Sequence, residues 1–332
     1  MDIVNQQDAF CKRLAKRVPK RLRRMFRFAF FAYSIEHVTS MRGNARKFVN
    51  NAYTAKSKAW RFLKNENLRT LVPKLLVELA VVTKESVIVI DFSSFGPWQV
   101  LMFAAETRNG RAIPVFFKII TYPIEKDSQN RFIINAIDQF VALVRCRPKL
   151  VFDRGFACPA IIKYLAQNKH IFYIRIKAGK HVALGESTRC QARDVTENDA
   201  IVSAYGLRLR LIASDDPGNG NEPWYLITND TRSLRKTIVA HYYFRFEIEE
   251  FFKDAKWLQG LEFVRFLKLE SVTTLLWFVV IGWWCFDAIS SLIPKFSIPH
   301  PKAKISRFRH FTETLLRFKN FLLLSALGYD SI

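Results

Sequence analysis

Two short apolar runs that each end in an aspartate constrain the fold of this chain more than any other feature. They are SVIVID at residues 86–91 and KLVFD at residues 149–153. Runs of this length and composition are typical of buried strands. Because open α/β sheets bind ligands at the carboxyl ends of their strands, we expect Asp91 and Asp153 to leave their strands into a cleft. For either aspartate alone, a capping or strand-ending role is an equal alternative.

The pattern around these runs predicts an α/β fold. Three successive strands are expected at 86–91, 98–106 and 111–122, with a hairpin around Asn109-Gly110 joining the last two. A helix over 129–145, the strand that ends at Asp153, a short helix over 159–167 and a strand over 171–177 follow. Residues 178–232 contain several glycines and short strand-like runs, which indicate a β-rich insertion. Helical spacing then resumes over 233–258.

The charge of the chain indicates a polyanionic partner. It has 52 Lys and Arg against 29 Asp and Glu, a formal net charge of +23 and a pI near 10. Nucleic acid is the first candidate and an anionic membrane surface the second. Much of the excess lies in residues 1–80, which have helical spacing and interleave cations with Phe48, Tyr53, Trp60 and Phe62. We expect this region to contact DNA rather than to form a solvated basic face.

Other classes of protein are disfavoured. Five scattered cysteines with no C-x-x-C spacing argue against a disulfide framework or a cysteine zinc site. The N-terminus is polar and then basic, unlike a signal peptide. The apolar run at residues 272–286 has 15 residues, whereas a spanning helix needs about 20, so a buried core helix is expected there.

A third motif lies within the predicted helix over 233–258. Tyr242, Arg245, Glu249 and Lys256 are spaced so that a continuous helix places them at about 0°, 300°, 340° and 320°, on one narrow stripe. Glu249 could then complete a metal site with Asp91 and Asp153, because hard divalent cations prefer carboxylate oxygens. The alternative is an Arg245–Glu249 ion pair, at i and i+4, on a solvated face.

Together, VIVIDFSSFG, KLVFDRGF and the Tyr242-to-Lys256 pattern resemble the catalytic blocks of bacterial insertion-sequence transposases of the Y-R-E-K branch, within the DDE transposases. The resemblance covers roughly residues 80–265. It implies an RNase H-like core in which Asp91, Asp153 and Glu249 are catalytic and bind two Mg²⁺ ions, with Mn²⁺ able to substitute. It also implies that DNA phosphates are contacted by Tyr242, Arg245 and Lys256.

The resulting expectation is an α/β protein with an RNase H-like mixed sheet flanked by helices, a β-rich insertion and a basic helical N-terminal region. Its predicted parts are a DNA-binding region at 1–80, the core at 81–177 and 233–293, the insertion at 178–232 and a basic C-terminal region at 294–332. In the insertion, Trp224 is expected to be a buried framework aromatic rather than a residue that stacks on a DNA base.

The resemblance implies a cut-and-paste transposase that cleaves double-stranded DNA at terminal inverted repeats and joins it to target DNA. A homodimer in the synaptic complex and a cytoplasmic, nucleoid-associated location in a bacterium are expected, with no membrane partner. Three alternatives stay open from the residues: a non-catalytic DNA-binding derivative or inhibitor, a nuclease of the same fold that cuts without joining, and a basic membrane-surface protein.

Overall fold

The structure is a computed structural model that forms two compact units, residues 69–249 and residues 1–68 with 250–332. The described residues are 3–34, 40–107, 112–121, 128–185, 188–214, 223–257, 259–264 and 268–290. The predicted hairpin turn at Asn109-Gly110, the end of the predicted helix at Leu258 and the basic C-terminal region at 294–332 lie outside them.

The elements alternate as the sequence pattern predicts. The helices are α1 Ile3–Lys16, α2 Lys20–Ala29, α3 Met41–Arg46, α4 Ala52–Leu63, α5 Glu66–Ala80, α6 Ser128–Val144, α7 Pro159–Gln167, α8 Arg235–Tyr243, α9 Phe246–Trp257 and α10 Leu269–Ser290. The strands are β1 Val87–Phe95, β2 Trp98–Glu106, β3 Ala112–Thr121, β4 Lys149–Phe152, β5 Phe172–Ile176, β6 His181–Leu184, β7 Thr188–Gln191, β8 Asp199–Ala204, β9 Leu207–Ala213 and β10 Tyr225–Thr228.

The ten strands of the described residues form one mixed sheet, in the order β3-β2-β1-β4-β5-β10-β9-β8-β6-β7. β4 lies between β1 and β5 and is parallel to both, whereas the other neighbours are antiparallel. The first five strands give an RNase H-like sheet, which confirms the predicted fold class. Strands β6 to β10 all fall within 178–232, and they continue this same sheet through the pairing of β10 with β5.

Helices cover the sheet in the unit 69–249. α6 packs on β3 and α8 packs on β4. Phe140 of α6 lies 4.9 Å from Phe103 of β2, measured between ring centroids, and both rings are fully buried. Burial of a side chain of this size stabilises the fold by about 1.5–3 kcal/mol. This apolar layer holds β1 and β4, and therefore the residues that follow them, in a fixed position.

The turn from β10 into α8 is organised by Asp230. Its carboxylate accepts hydrogen bonds from the Tyr173 hydroxyl (2.7 Å) and from the backbone N–H groups of Arg232 (2.9 Å) and Ser233 (3.0 Å). Burial by itself would raise the pKa of Asp230, but these hydrogen bonds outweigh it and lower the pKa to about 2. The ionised carboxylate thus sets the direction in which α8 leaves the sheet.

The other unit is helical, and its aromatic residues pack against α10. Phe278 of α10 contacts Phe26 of α2 (5.5 Å between centroids) and Phe62 of α4 (5.0 Å). Phe62 also stacks on Tyr33, which lies in a short π-helix, Phe30–Ser34, directly after α2. Gly282 lies so close to this π-helix that an added Cβ atom would be 1.8 Å from the Ser34 carbonyl oxygen. A side chain at position 282 is therefore excluded by the packing.

Helix α10 is longer than its apolar run indicates. Its segment Leu269–Ile289 has 21 residues and a mean hydropathy of 1.7, so by length and composition alone it could cross a membrane. The prediction that the segment is too short to span was therefore wrong. However, 83% of its most apolar window is buried, and such burial is typical of a core helix of a soluble protein. The predicted buried core helix is confirmed by its packing.

Candidate active site

Asp91 and Asp153 occupy the same level on two neighbouring strands. Residues 87–90 of β1 pair in parallel with residues 149–152 of β4, and the last pair is Ile90 with Phe152. Asp91 and Asp153 follow directly, and Asp153 keeps an extended backbone with φ −72° and ψ 169°. Because partners at one register level project to the same face of a sheet, the two carboxylates point to the same side.

The prediction that Asp91 ends its strand was wrong. β1 continues to Phe95, and Asp91 is paired with Met102 of β2. The pairing that ends before Asp91 is the one with β4, on the other edge of β1. Beyond that point, among the described strands, β1 pairs with β2 alone and becomes partly exposed. The apolar run therefore stops while the strand continues.

The predicted continuous helix over 233–258 is also wrong, because it is broken at residues 244 and 245. α8 ends at Tyr243 and α9 begins at Phe246. In the break, the Arg245 backbone N–H donates to the carbonyl of Tyr242 (3.0 Å), three residues back instead of four. The single stripe was derived from a constant rotation per residue, and this rotation is interrupted between Tyr242 and Glu249. Their approach depends on the turn and on contacts with the sheet.

Arg245 lies at the centre of the three carboxylates. Its Nη1 is 2.8 Å from Glu249 Oε1 and 3.2 Å from Asp91 Oδ2, and its Nε is 3.9 Å from Asp153 Oδ1. The i and i+4 ion pair weighed in the sequence is thus present, although not on a solvated face, because Arg245 is only 5% exposed. The structure brings together Asp91, Asp153, Glu249 and Arg245, which the sequence separates by up to 158 positions.

Tyr242 and two other aromatic residues complete the surroundings of Arg245. The fully buried Tyr242 donates a hydrogen bond from its hydroxyl to Asp153 Oδ1 (3.3 Å). The Arg245 guanidinium lies 4.5 Å from the ring centroid of Phe246, a contact that the sequence reasoning missed. Trp224 is buried as predicted and packs on Tyr242 and Phe246, with centroid distances of 5.2 and 5.3 Å. The only sequence signal for this contact is that Phe246 directly follows Arg245 in the chain.

The site favours positive charge. Burial raises the pKa of Asp91 to about 6, while Arg245 and the Phe92 N–H (2.8 Å) oppose this rise and the other two carboxylates add to it. Burial alone would lower the pKa of Arg245, but Tyr242 and the three carboxylates outweigh it and raise that pKa. Three acids thus surround one permanently charged base, an arrangement that attracts further cations.

The chemistry of the donors fits a hard divalent cation, because Mg²⁺ prefers carboxylate oxygens. The distances do not fit, however. Within the described ranges, no three acidic, histidine or cysteine side chains are close enough to one another to hold a metal. Arg245 separates the carboxylates instead. Its Nε is buried and, in the described part of the chain, makes no hydrogen bond. A metal ion held by all three carboxylates would have to take the place of the Arg245 guanidinium.

The structure leaves the proposed DNA contacts as predictions. Tyr242 and Arg245 are buried, so contact with a phosphate needs the site to open. Lys256 lies in the last turn of α9. Arg245 acts in this structure as the counter-ion of the three acids, a role that spacing alone did not reveal.

A comparison with known families bears on the same region of the chain. Residues 124–285 match a family described as the transposase DDE domain, a stretch that includes Asp153 and Glu249 but not Asp91. No match was found among curated proteins. Just under half of the chain, including two of the three converging carboxylates, is therefore similar to the transposase DDE domain.

Proposed function

We propose that this protein is a cut-and-paste transposase of the Y-R-E-K branch of bacterial insertion-sequence transposases. The observation that carries the proposal is the convergence of Asp91, Asp153 and Glu249 around one guanidinium. Two of these acids lie inside the region that matches the transposase DDE domain. The spacing of Tyr242, Arg245, Glu249 and Lys256 supports the assignment to the branch.

In this proposal Asp91, Asp153 and Glu249 hold two Mg²⁺ ions, which Mn²⁺ can replace. When bound, the ions supply activation of the attacking oxygen and stabilisation of the leaving oxygen at phosphorus. Binding would displace Arg245 from the carboxylates, so its guanidinium becomes free to pair with a DNA phosphate. While Arg245 lies among the carboxylates, Tyr242 orients Asp153 through its hydroxyl. Once Arg245 has been displaced, Tyr242 and Lys256 contact phosphates.

The reaction has two phosphoryl transfers. In the first, water attacks a phosphorus atom at the transposon end, and the bond to the 3′ oxygen breaks to leave a 3′-hydroxyl. In the second, that hydroxyl attacks a phosphodiester of the target, and the broken target strand carries away the displaced oxygen. The basic helical region at 1–80 would bind the terminal inverted repeats. A homodimer would hold two ends, in the cytoplasm and close to the nucleoid.

The proposal is tested by incubating the full chain with Mg²⁺ and DNA that carries candidate inverted repeats. Nicked, hairpin and joined products are separated on denaturing gels. We expect Asp153→Asn and Glu249→Gln to abolish all products, because each removes a metal-ligand charge. The matched control is Glu250→Gln, the neighbouring acid, which pairs with Lys253 at the surface (2.7 Å).

Each other outcome points to a different protein. Nicking without joining indicates a nuclease, and binding without cutting indicates a non-catalytic derivative or inhibitor. Equal activity of Glu249→Gln and Glu250→Gln rules out the assigned site.

A further inference from the structure

A basic groove lies on the helical unit. It has a volume of about 710 Å³, within the size range of ligand sites. Helices α1, α2 and α4 and the π-helix Phe30–Ser34 form it, with Phe48 between α3 and α4. Of its eleven lining residues, seven are Lys or Arg, three are Phe and one is Ala, so no acid is among them. The groove therefore suits a ligand that is both anionic and apolar.

Three of the lining cations are available to an anion. Lys12 and Arg27 pair with Asp8 at 2.5 and 3.5 Å, and Arg23 donates to backbone carbonyls. In contrast, Lys16, Lys20 and Arg24 have no ion-pair partner in the described part of the chain. They follow one another at intervals of four residues. Lys20 and Arg24 lie one turn apart in α2, where like charges repel each other, and bound phosphates relieve this repulsion.

The aromatic residues of the groove distinguish it from an ordinary phosphate-binding surface. Phe48 is 44% exposed and meets the edge of Phe28 at 6.3 Å between centroids. The Lys58 ammonium lies 5.2 Å from the centroid of the Phe28 ring. Exposure of an apolar ring to water is unfavourable, and stacking of a planar ligand on it removes that cost.

A single strand matches both properties of the groove better than a duplex does. A duplex presents phosphates, but its base faces are hidden in the stack. An unpaired strand presents phosphates and free base faces together, and proteins bind it by a cationic groove with exposed aromatic rings. Anionic lipid headgroups would satisfy the cations, although they offer no aromatic face for Phe48.

We propose that the basic groove binds single-stranded DNA, with an unpaired base on Phe48 and the neighbouring phosphates on Lys16, Lys20 and Arg24. In its biological role this inference rests on the proposed transposase function, because a strand end that cleavage has freed can separate from its complement. The binding itself does not require cleavage or metal, so it can be measured separately.

The first test compares Phe48→Ala with Tyr53→Ala by fluorescence anisotropy in EDTA. The probes are a labelled oligothymidine and a labelled hairpin duplex of equal nucleotide number. Loss of one base stack should weaken binding of the single strand roughly 5- to 100-fold and leave duplex binding unchanged. Tyr53 is 79% exposed and outside the groove, so its removal should change neither affinity. Phe48→Trp should retain single-strand binding, which controls for a folding defect.

The second test removes charge. A triple change of Lys16, Lys20 and Arg24 to Gln is compared with a triple change of Arg21, Arg46 and Lys56, which are exposed and outside the groove. Because each lost phosphate contact lowers the salt slope for single strands by about 0.7, the groove variant should lose roughly 2 from that slope. The control variant should retain it.

Several outcomes would overturn the inference. They are equal losses for single strand and duplex on Phe48→Ala, equal slopes for the two triple variants, and Phe48-dependent binding to phosphatidylserine vesicles without an effect on the oligothymidine. The proposed function can fail independently. If the chain binds single strands through Phe48 but yields no cleavage products, the groove inference stands and the transposase function fails. If the chain cleaves DNA normally but Phe48→Ala does not change single-strand binding, the transposase function stands and the groove inference fails.

Discussion

The Arg245 guanidinium lies 3.2 Å from the Asp91 carboxylate, although the two residues are 154 positions apart in the chain. Asp91 comes from the middle of β1 and Arg245 from the break between α8 and α9. Both are largely buried, so each reduces the cost of desolvating the other. The same guanidinium also lies next to the carboxylates of Asp153 and Glu249. Arg245 is therefore a structural counter-ion here and a candidate phosphate ligand when the site opens.

Replacement of Arg245 by Gln should destabilise the protein in the absence of metal. Removal of one partner of a buried ion pair leaves uncompensated charge, which costs about 2 kcal/mol or more in the free energy of unfolding. Added Mg²⁺ should recover part of this loss, since it restores positive charge among the carboxylates. Urea unfolding with EDTA and with Mg²⁺ measures both effects.

Lys253→Gln is the control, because Lys253 pairs with Glu250 on an exposed face and its loss should cost less than about 1 kcal/mol. An Arg245 variant as stable as this control, with no response to Mg²⁺, would contradict the counter-ion role.

Tyr242→Phe should reduce catalysis more than it reduces stability. The ring and its packing on Trp224 are retained, while the hydrogen bond to Asp153 (3.3 Å) is lost. We expect a change of about 1 kcal/mol in unfolding and a roughly tenfold slower single-turnover cleavage, with a higher Mg²⁺ concentration at half-maximal rate. Tyr243→Phe, at an exposed neighbouring tyrosine, is the control. If the two variants share one Mg²⁺ dependence, Tyr242 does not position Asp153.

Acid should destabilise the fold through Asp230. Its folded pKa of about 2 lies below the value of about 3.9 in an unfolded chain. The contribution is thus complete above about pH 4 and is lost as the pH falls towards 2. At neutral pH, Asp230→Asn should unfold with roughly 1–2 kcal/mol less free energy, since charged hydrogen bonds are weakened. This difference should shrink in chemical unfolding at decreasing pH. A constant difference across that range, or an equal effect of the exposed Glu197→Gln, would exclude Asp230.

Gly282→Ala should be among the most damaging small substitutions. Its Cβ would lie 1.8 Å from the Ser34 carbonyl oxygen, and a backbone atom cannot move aside as a flexible side chain can. Separation of α10 from the π-helix should cost about 3 kcal/mol or more, at the upper end for overpacking. Gly155→Ala is the matched control, with nothing within 4 Å of its Cβ. Equal melting temperatures for the two variants would show that this approach is not tight in solution.

Apolar runs and helical spacing predicted much of the core, because these patterns follow directly from which side chains are buried. Alternation of apolar runs and helical spacing located β1, β4, α6 and α7, since burial on both faces demands continuous apolar strands. The same signals failed where a neighbour, rather than the local sequence, determines the structure. The apolar run of β1 stops at Asp91 because β4 ends there, and the strand continues on its pairing with β2.

The break between α8 and α9 shows why part of the site was not predictable. Residues 244 and 245 contain no proline or glycine, so nothing local signals a stop. The three-residue backbone hydrogen bond and the ion pairs of Arg245 with distant acids accompany the turn. A helical wheel assumes one constant rotation per residue and cannot contain such contacts.

The sequence by itself indicated which side chains are candidates for the chemistry. Asp91 and Asp153 follow apolar runs, Glu249 belongs to a spaced motif, and the positive charge is concentrated in the N-terminal helices, all of which depend on composition and short-range periodicity. Only the tertiary structure decided that Arg245 lies among the three acids and that Phe48 lies open in a basic groove. Those relationships arise from strand register, a helix break and packing between distant segments. Burial of charged groups depends on partners from distant parts of the chain, which no local pattern encodes.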